Sequence, residues 1–446
     1  MFGIIFPNIT VIEVIATFLM TSAFFAGLGL LIGSREAKKR ILGLMITGFF
    51  SHPLELGLSK SLWRTLDHTD LYWTFPGFIF FFPILVLFLF LENRQKLSYQ
   101  RLNYMGIWQI CWIIMMFMTS LAWILKTGDA SAAYVLSGVL AFCLLCYLVV
   151  SKAEGSDLIW ALESFSIIYF LIVWGYTFIF IAHHGLHNFR LISLSRGSES
   201  LGFYTCIFIL VSVGVRGFLS SRRSSFLQIL GFVTLLASGN RASLVLVTVG
   251  LIIISLHDKK FSRINMGKFI IRTICIISIT SLFLFLGQKR VFSRDAPIQF
   301  LSSTERIFSG GIDIRKNPRY RVLWPLLIKA IVTNPFGTKG YPSAPDMPHR
   351  TYPHNMLLYV TYSGGVLAGS FFLLWLISLA IHMTHGWQPF TLRFALGLAV
   401  VGHLIKVELI RTPSAFTAYL LVIIMLEYLL VRGVQLGNHT RERYIP

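Results

Sequence analysis

Apolar runs of roughly 18 to 25 residues recur from one end of the chain to the other, each long enough to cross a bilayer as a helix. Lipid offers no hydrogen bonds to a peptide group, so every N–H and C=O inside such a run must be bonded within the protein. A run that satisfies its own backbone is a helix, and the expected fold is therefore an all-α polytopic membrane protein. Composition agrees, because 55% of the 446 residues are hydrophobic and only 13% are charged, more apolar side chain than a soluble domain buries. The first apolar run starts near Asn8 without a basic leader and is long enough to span, so it is expected to be a membrane helix and not a cleaved signal.

Charge between the runs sets the orientation. Arg35/Lys38/Lys39/Arg40, Arg94/Lys96/Arg101, Lys152, Arg222/Arg223 and Lys259/Lys260/Arg263/Lys268 form basic clusters that alternate with weakly charged connections near 63–70, 127–131, 183–200 and 239–241. Placing the basic clusters in the cytoplasm gives about 12 to 13 transmembrane helices. They fall at 9–33, 41–60, 72–92, 103–126, 132–151, 158–182, 200–217, 226–238, 242–256, 269–287, 355–382, 391–410 and 415–432. The short runs flanking Gly239 decide between the two counts. The N-terminus lies outside, the tail lies inside, and residues 1–446 form a single integral membrane domain.

The connection 288–354 breaks the alternation. It is an external loop, yet it holds Lys289, Arg290, Arg294, Arg306, Arg315, Lys316, Arg319, Arg321, Lys329, Lys339 and Arg350 against Asp295, Glu305, Asp313 and Asp346, a local charge of +7 within a chain of net charge +20. Long loops cross a membrane largely regardless of their charge, and a loop of this length in a compact bundle is usually functional. Within it, "RVLWPLLIKAIVTNP" predicts an amphipathic helix with Leu323, Leu326, Leu327, Ala330 and Ile331 as its apolar stripe and Asn334-Pro335 as its stop. Such a helix is expected to lie on the membrane surface.

Four external pieces carry polar chemistry. Arg190 and Arg196 follow the sixth span, Arg241 sits in the short turn "SGNRAS", the long loop brings its arginines, and "YPHN" ends that loop with His354 and Asn355. Arginine stays charged and its planar fork matches phosphate oxygens two at a time, so arginines gathered around one cavity point to a diphosphate. Arg241, between two apolar runs, favours function because isolated charge in a membrane is costly. Arg196 has Glu199 as an alternative partner, and for most loop arginines a solvated face or an anionic headgroup contact is favoured over a direct substrate role. His354 titrates near neutrality and suits a general base, with a structural hydrogen bond as its plain alternative. Asn355 either orients a sugar or caps the next helix. Glu55, Glu163, Lys406 and Glu408 lie within apolar runs, where Lys406 and Glu408 are expected to pair locally and Glu55 and Glu163 to line a cavity or a proton path.

Other chemistries find no motif. His183, His184 and His187 lack an acidic or Cys partner at ligand spacing, so no metal is expected. The five cysteines (Cys111, Cys143, Cys146, Cys206 and Cys275) lie inside apolar runs, without disulfide or zinc spacing. No phosphate-binding or dinucleotide glycine loop is present, so neither a nucleotide cofactor nor a nucleic-acid partner is expected.

Taken in order, these pieces resemble the O-antigen ligase and O-antigen polymerase superfamily over roughly residues 190–370. The family's "SGSRA"-like turn is matched by Ser238-Gly239-Asn240-Arg241-Ala242-Ser243. Its loop Arg, Trp and "NPxxGxG" are matched by Arg319 or Arg321, Trp324 and Asn334-Pro335-Phe336-Gly337-Thr338-Lys339-Gly340, and its "HNxxL" start by His354-Asn355-Met356-Leu357-Leu358, followed by Gly365 to Gly369. Arg190 followed by Gly202 fits the upstream loop. Two departures are Tyr362, where the family often has an acid, and an unusual Arg-to-Trp spacing that leaves both Arg319 and Arg321 as candidates.

The resemblance implies a GT-C-like, metal-independent inverting glycosyltransferase of the bacterial inner membrane, with its active site facing the periplasm and no cofactor. His354 would be the catalytic base, and Arg190, Arg241, Arg319 or Arg321, Arg196 and Asn355 would bind substrate. The implied partners are an undecaprenyl-diphosphate-linked glycan and membrane lipids, with a chain-length regulator and a flippase. An O-antigen polymerase is favoured over a ligase acting on lipid A core, because the acidic position is replaced and the first half diverges. A protein O-oligosaccharyltransferase fits less well, since no large soluble domain follows the last span. A solute transporter is the alternative from another class, although paired interrupted helices in repeated halves are not evident.

Overall fold

The computed structural model describes residues 11–49, 86, 104–184, 198–214, 221–238, 240–257, 319–341, 347–348, 353–384, 392–406 and 413–432. Among them all regular structure is helical and no strand occurs. The elements are α1 (Val11–Gly33), α2 (37–49), α3 (Tyr104–Thr127), α4 (Ser131–Val150), α5 (Gly155–His184), α6 (Ser198–Gly214), α7 (Ser221–Ser238), α8 (Arg241–His257), a π-helical turn (Arg319–Leu323) leading into α9 (Trp324–Thr333), α10 (Met356–Thr384), α11 (Leu392–Lys406) and α12 (Pro413–Arg432). Helices occupy almost all described residues of the expected spans; 9–10, 50–60, 72–92 except residue 86, 103, 215–217, 269–287, 391 and 407–410 lie outside the described residues.

Three stretches, Gly106–Thr127, Gly155–Gly175 and Met356–Met383, are long and apolar enough to cross a membrane. Along α10, Val366, Leu367, Leu373, Leu374, Ile377 and Ile381 are exposed. These positions fall on one helical stripe, and such a stripe is suited to lipid and not to water.

The described elements belong to two compact units. One contains residues 1–161, 315–381 and 404–432. Here α4 packs against both α3 and α12, while α3 meets α10 through stacked Trp108 and Phe371 and edge-on Trp112 and Phe372. Glycine lets α1 and α2 cross closely, since a Cβ on Gly43 would stand 2.6 Å from the Gly27 carbonyl oxygen. A polar knot ties the start of α3 to the ends of α4 and α12: the Tyr147 hydroxyl contacts Gln109 Oε1 and lies 3.0 Å from Glu427 Oε2, and Trp375 of α10 donates its indole N–H to Glu427 Oε1 at 2.6 Å.

The second unit contains residues 162–314, 382–403 and 433–446. Its α6 packs on α7 and α8. Phe165, Tyr169 and Phe170 of α5 interleave edge-on with Tyr204 and Phe208 of α6, forming the aromatic core of the unit. Such pairs add about 0.5–1.5 kcal/mol each beyond the area they bury.

Candidate functional site

The turn that holds His354 is built from three directions. His354 has φ +49°, the only positive φ outside glycine among the described residues, and a β-carbon makes that left-handed conformation uncommon. Just before it, the Pro353 carbonyl accepts the Trp324 indole N–H at 2.9 Å, which ties the start of α9 to the turn. Just after it, Asn355 caps α10: its Oδ1 accepts from Leu358 N at 3.1 Å and its own carbonyl accepts from Tyr359 N at 3.0 Å. Of the two roles open to Asn355, capping is the one observed. His354 itself is half-buried at the mouth of the helix.

Below this turn, "NPFGTKG" locks the loop into the bundle. α10 is broken at Gly365, whose φ 85° and ψ 175° lie where only glycine rests easily. The break exposes backbone groups, and the loop satisfies them: Val366 N donates to Pro335 O at 2.8 Å, and Thr338 N and Gly340 N both donate to Ser363 O at 3.0 Å. Thr119 of α3 adds a bond from its hydroxyl to Gly364 O at 3.0 Å. Asn334 closes the turn by donating from Nδ2 to Gly337 O at 2.6 Å. Gly337, at φ +87°, lies so close that an added Cβ would be 2.5 Å from Gly365 N, and one on Gly340 would strike the Met116 carbonyl.

Gly365 is nine residues below the start of α10, and Met116 is eleven residues from the end of α3, so the turn reaches about 14–16 Å along both helices at 1.5 Å per residue. Irregular backbone at such depth is tolerated when protein surrounds it; Gly337, Gly340 and Tyr341 are all buried.

The loop helix departs from the expected stripe. Leu323 and Leu327 are buried, Ala330 and Ile331 are half-buried, but Leu326 is exposed along with Val322, Ile328, Val332 and Phe336, the last two at 74% and 83%. α9 is thus apolar on its outer face too, because docking through Leu323 and Leu327 turns Leu326 away from the protein.

In the second unit, Asn240 caps α8 in the same way: its Oδ1 accepts from Ser243 N at 3.2 Å and its carbonyl from Leu244 N at 3.1 Å. Ser238 Oγ accepts from Asn240 N at 3.3 Å. His403 Nδ1 lies 2.7 Å from the Ala399 carbonyl and must donate to it, which leaves Nε2 to accept the Ser243 hydroxyl at 2.8 Å. The Phe203 ring stands edge-on to His403 at 5.0 Å. A Cβ on Gly202 would strike Ser243 Oγ and come 2.5 Å from Asn240 Nδ2. Arg241 is therefore the first residue of a helix whose cap is fixed on every side, at the end where the helix field favours negative charge.

The expected site residues divide between the units. His354, Asn355, Arg319 and Arg321 belong to one and Arg241 to the other. Arg321 is exposed on the π-helical turn that Arg319 begins. Arg190, Arg196 and His187 lie outside the described residues, as do Glu55 and Glu408; His183 and His184 are backbone positions at the end of α5. Sequence reasoning missed Ser243 and His403, although a lone histidine within the apolar run 391–410 was a usable signal. It also missed Glu427, an acid within the last span. Comparison with protein-family models finds no matching family, and comparison with curated proteins finds no matching relative.

Proposed function

We propose that the protein is a GT-C-like O-antigen polymerase of the bacterial inner membrane, joining undecaprenyl-diphosphate-linked repeat units at the periplasmic face. The observation that carries this reading is the His354 turn. A histidine held at positive φ, between a tryptophan clasp on one side and an asparagine cap on the other, has the fixed placement that a general base needs. His354 takes the proton from the acceptor sugar hydroxyl as that oxygen attacks the anomeric carbon. The bond from that carbon to the diphosphate breaks, and the charge leaves on the lipid diphosphate. Arg241, at the first position of α8, stabilises that charge together with Arg190, Arg319 or Arg321, and Arg196. In this reading the apolar outer face of α9 meets the membrane.

The test is the glycan ladder of a deletion strain carrying wild type or His354→Ala. A core bearing a single repeat unit identifies a polymerase. A bare core with long chains left on undecaprenyl diphosphate identifies a ligase. An unchanged ladder removes His354 from catalysis.

A further inference from the structure

The polar knot of the first unit contains one more acid than its hydrogen bonds can ionise. Glu427 is fully buried in the last helix, and its partners are the Trp375 indole N–H on Oε1 and the Tyr147 hydroxyl on Oε2. The same hydroxyl contacts Gln109 Oε1, whose amide nitrogen is buried without a partner. Three oxygens thus stand in a row: Glu427 Oε2, Tyr147 OH and Gln109 Oε1. Two protons are needed to join them, and a tyrosine carries one.

We infer that Glu427 is a proton-binding site: its carboxylic acid O–H donates to the Tyr147 oxygen, and the Tyr147 O–H donates to Gln109 Oε1. The surroundings support the neutral form. The other titratable side chains beside this pair are Cys143 of α4 and Tyr428 of α12, neither of which can carry a positive charge. No ion pair to Glu427 occurs among the described residues. A carboxylate enclosed by tryptophan, tyrosine and cysteine without a cation would be an uncompensated buried charge, whereas the acid satisfies every oxygen in the row. When the proton leaves to solvent, the row keeps one proton for two gaps. Tyr147 must then turn to the carboxylate, and Gln109 must turn its amide over to donate from Nε2 to the Tyr147 oxygen. The site joins α3, α4, α10 and α12, so binding and release of one proton change the bonding of four helices at once. Nothing in this inference depends on glycosyl transfer.

Infrared difference spectroscopy of the full chain in lipid nanodiscs at neutral pH, wild type minus Glu427→Gln, tests it. The expected result is loss of one carboxylic acid C=O stretch per chain, shifted in D2O, with Gln109→Leu moving that band instead of removing it. A difference spectrum showing a lost carboxylate doublet and no lost acid band would overturn the proposal. If Glu427→Gln does not fold, Tyr147→Phe answers in its place: freeing the acid O–H must raise the C=O frequency, and an unmoved band counts against the proton.

Discussion

Replacing Gly365 by alanine should undock the loop from the broken helix. At φ 85° and ψ 175°, a residue with a β-carbon bears about 1–3 kcal/mol of backbone strain. Its Cβ would also sit 2.7 Å from the Phe336 carbonyl carbon and 2.8 Å from the Phe336 and Pro335 oxygens. Movement to relieve that clash endangers three backbone bonds, Val366 N to Pro335 O, Thr338 N to Ser363 O and Gly340 N to Ser363 O, each worth about 0.5–1.5 kcal/mol net. The expected cost is therefore about 2.5–7.5 kcal/mol, a large part of the roughly 5–15 kcal/mol that holds a folded domain together. Gly337→Ala attacks the same contact from the loop side, with its Cβ 2.5 Å from Gly365 N. Because either change undocks the same turn, the double variant should cost about as much as the worse single one. Gly29→Ala is the control, since nothing lies within 4 Å of its Cβ and alanine in a helix gains roughly 0.5–1 kcal/mol over glycine. Thermal midpoints in detergent and amide exchange at Thr338, Gly340 and Val366 read the outcome. If Gly365→Ala melts like Gly29→Ala, or if the two docking variants are additive, the lock is not what joins loop to helix.

Further expectations follow from the two helix caps and from the exposed acid Glu36. Trp324→Phe removes the donor to Pro353 O, and should cost about 1 kcal/mol of stability while lowering the turnover of the proposed glycan transfer far more than it changes KM. Ser243→Ala leaves His403 Nε2 buried without its donor, a loss of about 1–3 kcal/mol; adding His403→Leu should recover part of it in a double-mutant cycle followed by thermal melting. The Lys39 ammonium bonded to Glu36, with Lys38 beside it, holds the Glu36 carboxyl below its usual range. A lowered carboxyl contributes stability above its ordinary value near 4.3 and loses it as the pH falls further. The melting difference between wild type and Glu36→Gln should therefore be small at pH 7, vanish in acid and shrink in high salt, because the pair is exposed.

The helices were legible because lipid forces each apolar run to satisfy its own backbone. The ends of α3, α4, α10 and α12 fall within a few residues of the expected spans for that reason. The loop helix and its stop at Asn334 were legible from period and punctuation, but its orientation was not. Leu326 belongs to the apolar stripe by spacing, and only the docking of Leu323 and Leu327 shows that it faces outward. The break in α10 was hidden, since Gly364-Gly365 inside an apolar run reads equally as a close helix contact. Only the loop's bonds to Ser363 and Val366 reveal a gap. Capping was one of two roles legible for Asn355, whereas Asn240 was visible only as a motif member and its work as a cap needed the geometry of the next three residues. The Ser243–His403 bond joins residues 160 positions apart, and no local pattern announces such a pair.

Glycosyl transfer by the purified protein tests the central claim most directly. Proteoliposomes containing the chain are given an undecaprenyl-diphosphate-linked repeat unit as both donor and acceptor, without metal or nucleotide, and the products are followed by mass. The account predicts chains longer by whole repeat units, release of undecaprenyl diphosphate, and loss of both with His354→Ala in a protein that still melts like wild type. Elongation that persists undiminished in His354→Ala, or no elongation of the lipid-linked unit, would contradict it.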